Sequence, residues 1–174
     1  MAVESSLGSE DRYRELLLRF ASALLPVDVA IQTHPEARLV PDVADRAVRG
    51  PLVSDLRSLG VPQATIDRLS EPSFVIEPSA AHLLGAMYTV EGSSLGGRVI
   101  SRMVREAIPQ APVAYFDRYG ESIGDRWALL RRIINANLKT NCDCDGAVTA
   151  AVSVFARFMP SPAASDIGRI DAGG

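Results

Sequence analysis

The chain has 174 residues, 47% of them hydrophobic, with a formal net charge of -3 and a pI near 5.4. That length supports one domain with a substantial core and is short for two. The acidic balance argues against a general nucleic-acid binder, which needs a concentrated basic surface. No apolar run reaches the ~18 residues of a membrane span, and Met1-Ala2-Val3-Glu4-Ser5-Ser6 lacks the basic and apolar regions of a signal peptide. A cytoplasmic protein away from the membrane is expected.

In chain order, residues 1–10 are expected to be flexible. Tyr13, Leu16, Leu17, Phe20, Leu24, Val27 and Ile31 then follow the i, i+3, i+4, i+7 template of an amphipathic helix, with a kink or restart expected at Pro26. Gln32 to Arg49 reads as a loop or short helix. Pro51 to Leu59 predicts a helix ended by Gly60, and another short helix starts after Pro62. A long helix is predicted from about Ser79 to Ala107, stopping before Pro109. Ile123, Trp127, Leu130, Ile134 and Leu138 define the next amphipathic helix, and Val148, Val152 and Phe155 define the last, capped by Asp145. Cys142 and Cys144 are too close for a disulfide and too few for a zinc set, and are read as reduced thiols in a loop. Asp143-Cys144-Asp145-Gly146 resembles half a calcium loop but lacks the distal bidentate Glu, so capping is the simpler account. Residues 160–174 have too few large apolar groups to pack and are expected to be disordered. No strand run is evident, so the fold class is a single all-α domain spanning residues 1–159.

The helix from Ser79 to Ala107 is unusual because it carries Gly85, Gly92, Gly96 and Gly97, each costing about 1 kcal/mol relative to Ala in a helix interior. At about 100° per residue, Gly85, Thr89, Gly92 and Gly96 share one face with Ser93 beside them. Such a bare stripe admits either a neighbouring helix backbone or a flat ligand laid on the main chain; spacing alone favours helix packing. The Gly96-Gly97 pair also permits a kink. Glu91 lies on another face and is assigned a structural hydrogen bond or ion pair. Arg98, Arg102 and Arg105 share a helical face and read as solvated.

The run Tyr88-Thr89-Val90-Glu91-Gly92-Ser93-Ser94-Leu95-Gly96-Gly97-Arg98-Val99-Ile100 resembles the distal-helix signature of biliverdin-producing heme oxygenases, above all the bacterial, phytochrome-associated branch. Further similarity runs through Tyr13-Arg14-Glu15-Leu16-Leu17, Leu24-Leu25-Pro26-Val27, Phe116-Asp117-Arg118-Tyr119-Gly120 and Arg126-Trp127. The resemblance implies a heme-oxygenase-like helical bundle that holds heme between a proximal helix and this distal one. It also implies oxidative opening of heme to biliverdin, iron and carbon monoxide, with an electron donor as partner. Carried over by position, Gly92, Ser93, Gly96 and Gly97 form the distal wall, Ser93 organises distal water, and Arg118, Tyr119 and Arg126 meet the heme propionates at the rim.

In that family the proximal histidine lies on a helix preceding the segment that matches Tyr13 to Leu25, and no histidine precedes Tyr13 here. Heme would then take a substitute axial donor. His82 is set about 21 Å along the helix from Gly96 at 1.5 Å rise per residue and is read as a polar residue near a helix start. His34, in Gln32-Thr33-His34-Pro35, is read either as a surface histidine or as the substitute ligand. Tyr13, Met87 and Met103 are further donors by type, each read as core. Two functions follow: a heme oxygenase supplying bilin to a phytochrome, or a non-catalytic relative that binds heme or bilin weakly and acts in signalling or partner binding. Apolar surface left without a proximal helix predicts a homodimer.

Overall fold

A computed structural model describes residues 9–159. The expectations for residues 1–8 and 160–174 lie outside the described residues. Within them the chain is all α-helical with no strand, as the apolar period predicts. The first helix, α1 (Glu10–Gln32), is opened by Ser9, whose hydroxyl accepts the Arg12 N–H at 3.3 Å, with Glu10 and Asp11 complementing the helix dipole. Ser9 and Glu10, grouped above with a flexible terminus, therefore belong to the helix. Pro26 sits inside α1 without ending it. Buried Leu24, Leu25, Val27 and Ile31 hold the segment in the core across the hydrogen bond that the proline removes.

The chain then turns through two short 3-10 segments, Ala37–Leu39 and Ala44–Arg46, into α2 (Arg49–Ser58). No side chain caps α2 from its own N-terminus. Instead the buried carboxylate of Asp28 on α1 accepts the Val48 and Arg49 N–H groups at 3.1 and 3.2 Å, so one helix caps another. Gly60 ends α2 at φ 75°, and its neighbour Val61 donates back to the Leu56 carbonyl, as a glycine-terminated helix requires. After the short α3 (Gln63–Leu69), the glycine-rich region forms two helices, α4 (Ala80–Ser94) and α5 (Gly97–Ala107), where the sequence predicted one. The break falls at Leu95-Gly96, and the carbonyl of Phe116 occupies the space that a Cβ on Gly97 would need. Only a glycine allows this approach.

Asp55 on α2 is a second buried carboxylate with a structural task, accepting the Ala114 and Tyr115 N–H groups at 3.0 and 2.8 Å and fixing the segment after α5. Helix α6 (Ile123–Asn137) follows, then α7 (Asn141–Ala156). The α7 cap is a reciprocal box between Thr140 and Asp143, not Asp145. Cys142 and Cys144 are exposed free thiols on the first turn of α7, not in a loop. The inner stripe of α7 is Ala147, Ala150 and Val154, whereas Val148, Val152 and Phe155 face outward. Small residues win the inner face because α4 lies so close: a Cβ on Gly85 would meet the Ala147 carbonyl oxygen and come within 2.7 Å of Ala147 Cα.

Burial is the largest influence on both Asp28 and Asp55 and raises both above the ordinary carboxylate value, against the backbone hydrogen bonds that lower them. The folded chain then holds these protons more tightly than the unfolded one. Their contribution to stability is fully present below the unfolded value of about 3.9 and is lost as pH rises through the raised folded values. A urea-denaturation series across that range is expected to show the parent chain losing more stability with rising pH than Asp28→Asn or Asp55→Asn. Parallel curves would contradict it.

Candidate functional site

A cavity of about 450 Å³ lies among α1, α4, α5 and the end of α7. Its walls are mostly aromatic. Phe20 of α1 meets Phe116 edge-on at 5.5 Å and Phe158 at 5.6 Å, and Phe155 closes the far side while remaining exposed. Along α4 the wall is Tyr88, Thr89, Gly92 and Ser93, and α5 adds Ile100. Edge-on aromatic pairs with side chains from different elements give a stiff apolar slot suited to a flat ring system.

The bare stripe thus divides. Gly85 packs against α7, and Thr89 stands at the boundary, lining the cavity while its hydroxyl donates to the Ala151 carbonyl of α7 at 3.1 Å. Gly92 and Ser93 line the cavity. Trp127 of α6 backs Gly92, its ring 3.7 Å from where a Cβ would stand. Of the other small residues carried over to the wall, Gly96 is exposed and Gly97 is buried against Phe116, and neither lines the cavity.

Behind the wall is a buried ionic hub. Glu91, the residue before Gly92, receives Arg46 Nη1 on Oε2 at 3.1 Å, and on Oε1 both Arg118 Nη2 at 3.1 Å and the Tyr119 hydroxyl at 2.8 Å. Arg46 also donates to Asp42 at 2.8 Å and, through Nη2, to the Arg126 carbonyl on α6 at 3.1 Å. Burial works against the Arg46 charge, but the hydrogen bond to Asp42 and the charges of Glu91 and Asp42 outweigh it and hold the guanidinium above its ordinary range. Burial likewise raises the Tyr119 phenol, with the Arg118 charge pulling the other way, so it is a hydroxyl donor at any ordinary pH. Arg118 lies over the Tyr119 ring at 4.5 Å and donates through Nη2 to Ser94 Oγ at 2.6 Å; its Nε and Nη1 have no partner among the described residues. Arg118 and Tyr119, assigned above to the rim, are therefore inside the protein, committed to Glu91. Arg126 is half-buried, stacked 4.8 Å from the Tyr119 ring, with Nη1 3.5 Å from Asp42.

The histidines are elsewhere. His34 is buried rather than at the surface, and both ring nitrogens are used: Nδ1 accepts the Glu36 N–H at 3.1 Å, so the tautomer protonated on Nε2 donates to the Glu77 carbonyl at 2.9 Å. It ties two loops together and has no nitrogen left for a metal. His82 stands in the first turn of α4 beside its cap, Nδ1 2.7 Å from Ser79 Oγ. Tyr13 and Met87 are core, the Tyr13 hydroxyl donating to the Pro112 carbonyl at 2.7 Å. Among the described residues no cluster of three or more His, Cys, Asp or Glu is arranged to hold a metal ion, and no helix is long and apolar enough to cross a membrane. The aromatic lining, Phe20, Phe116, Phe155 and Phe158, escaped the sequence reading because these residues come from three distant segments.

The chain is similar to a heme oxygenase. It is 34% identical over 109 residues to "Heme oxygenase" of Xanthomonas campestris pv. campestris (strain 8004), the aligned stretch covering 62% of this chain and 62% of that protein's length. No family model matches the chain, and no solved structure matches it.

Proposed function

We propose that the chain is a heme-oxygenase-like protein of the bacterial branch and that the aromatic cavity against Gly92 and Ser93 takes heme, the substrate whose oxidative opening to biliverdin, iron and carbon monoxide is that family's reaction. The observation that carries the reading is the joint placement of a Phe-walled slot and a side-chain-poor stretch of α4 at the motif that resembles the distal signature. The slot falls within the volume range of small-molecule sites, and its lining suits porphyrin faces. Ser93, exposed beside the cavity, donates its hydroxyl to the Val90 carbonyl at 2.7 Å and meets the buried Tyr115 phenol, and its oxygen has a second lone pair for ordered water. Heme supplies the redox chemistry when bound; these residues shape the slot, keep one wall thin and order water there.

A second reading has its own support: none of the lining side chains is a histidine, cysteine or methionine, and His34 is spent on the main chain. On that reading the protein binds heme or a bilin without cleaving it and acts through a partner, a phytochrome or other signalling protein or a second copy of itself. Hemin titration followed by ascorbate or a reductase under oxygen separates the two. A saturable Soret band followed by biliverdin is the result for the enzyme; a saturable band with no bilin is the result for the binding protein. No saturable change contradicts both.

A further inference from the structure

We infer that Glu91 is a positioning residue for the cavity wall, a role that deepens the reading above and rests on it only for the identity of the ligand. The carboxylate is 4% exposed and shared by three donors from two other segments: Arg46 on the 3-10 turn and Arg118 and Tyr119 after α5. The connections close a ring. From Glu91 the path runs through Arg46 to the Arg126 carbonyl; the next residue on α6 is Trp127, whose indole lies on Tyr88 at 5.2 Å and on the bare face of Gly92, the residue next to Glu91. One carboxylate thereby sets the spacing between α4 and α6 where α4 forms the wall.

Arg118 makes this hub sensitive to the charge as well as the shape of residue 91. Its guanidinium is buried, two of its nitrogens have no acceptor among the described residues, and its side-chain hydrogen bonds, both through Nη2, go to Glu91 and the Ser94 hydroxyl. A neutral amide at position 91 leaves Arg46 leaning on Asp42 but leaves Arg118 with no carboxylate in contact, the nearest named charge being the more distant Asp28. A buried cation in that state moves or draws in water. Ser94, which it holds, is the neighbour of Ser93, so the disturbance passes directly into the wall.

Trp127 is the chain's single tryptophan and sits at the closing point of the ring, so it reports the wall without any ligand. The test compares acrylamide quenching of Trp127 in Glu91→Gln, Tyr119→Phe and Ile66→Ala, each at the same interval below its own melting temperature. Ile66 is fully buried on α3 and serves as a destabilised control away from the wall. Glu91→Gln is expected to raise the quenching constant about twofold through local opening, Tyr119→Phe to raise it less, and Ile66→Ala to leave it unchanged. Equal constants in Glu91→Gln and Ile66→Ala would overturn the role. Should Glu91→Gln fail to fold, Tyr119→Phe decides: a constant equal to the parent's overturns it. Hemin added to the same proteins separates the two claims. Weaker binding in Glu91→Gln with unchanged binding in Ile66→Ala supports the role, whereas no saturable binding in the parent overturns the heme reading and leaves Trp127 quenching to judge Glu91.

Discussion

Gly85→Ala is expected to lower stability by about 2 kcal/mol, the usual scale for overpacking a filled interface. The added methyl meets the Ala147 carbonyl oxygen and lies 2.6 Å from its carbonyl carbon. That neighbour is helix backbone, not a side-chain tip that can rotate away, so α4 and α7 must separate. The separation also strains the Thr89–Ala151 hydrogen bond one turn along. Helix propensity pulls the other way by about 1 kcal/mol, which is why the net loss stays moderate. Gly124→Ala is the matched control: nothing lies within 4 Å of its added Cβ, and urea denaturation should find it neutral or slightly stabilised. A Gly85→Ala midpoint at or above the parent's would contradict the close approach.

Glu91→Ala is expected to cost more, about 3–5 kcal/mol, the penalty for removing one partner of a buried ionic cluster. Arg46 and Arg118 both lose a carboxylate oxygen in a site where the side chains are 2% and 4% exposed. The exposed Arg19–Glu15 pair on α1 is the comparison: its side chains are 75% and 63% exposed and the nitrogen–oxygen distance is a good 2.8 Å, yet Glu15→Ala should cost no more than about 0.5 kcal/mol. Chemical denaturation of both variants measures the contrast. Similar losses from the two would mean that the hub is better solvated than its geometry implies.

The helices were legible because apolar spacing and punctuation agreed along most of the chain. Gly60 and the proline before α3 placed boundaries that the fold keeps. The misses have particular causes. At Pro26 the helix runs on without the restart that was one of the two expectations, because core packing overrides the local helix-breaking signal. The division of α4 from α5 depends on Phe116 reaching Gly97, a contact between residues far apart in sequence. On α7 the apolar stripe Val148, Val152 and Phe155 is the natural inward face by periodicity, but the glycine on α4 draws the helix in by its alanines and turns the larger side chains out.

The site was legible in part. Gly92 and Ser93 came from the motif and do line the cavity, and Glu91 was rightly given an ion pair or hydrogen bond. Arg118 and Tyr119 carry the right chemistry for a rim, but no feature of a linear sequence shows that a buried carboxylate on another helix claims them first. The outward apolar face of α7, together with Tyr88 on α4, is the surface on which a homodimer would be sought.

Whether the aromatic cavity against α4 is where hemin binds is decided by titrating hemin into the parent chain and into Ser93→Phe, following the Soret band and the quenching of Trp127. Ser93 is exposed and lines the cavity, so a phenyl ring there fills the slot while sparing the core. The parent is expected to bind saturably, and Ser93→Phe to lose at least tenfold in affinity, about 1.4 kcal/mol, at unchanged helix content. Equal affinity in the two would place the hemin elsewhere and contradict its assignment to this cavity.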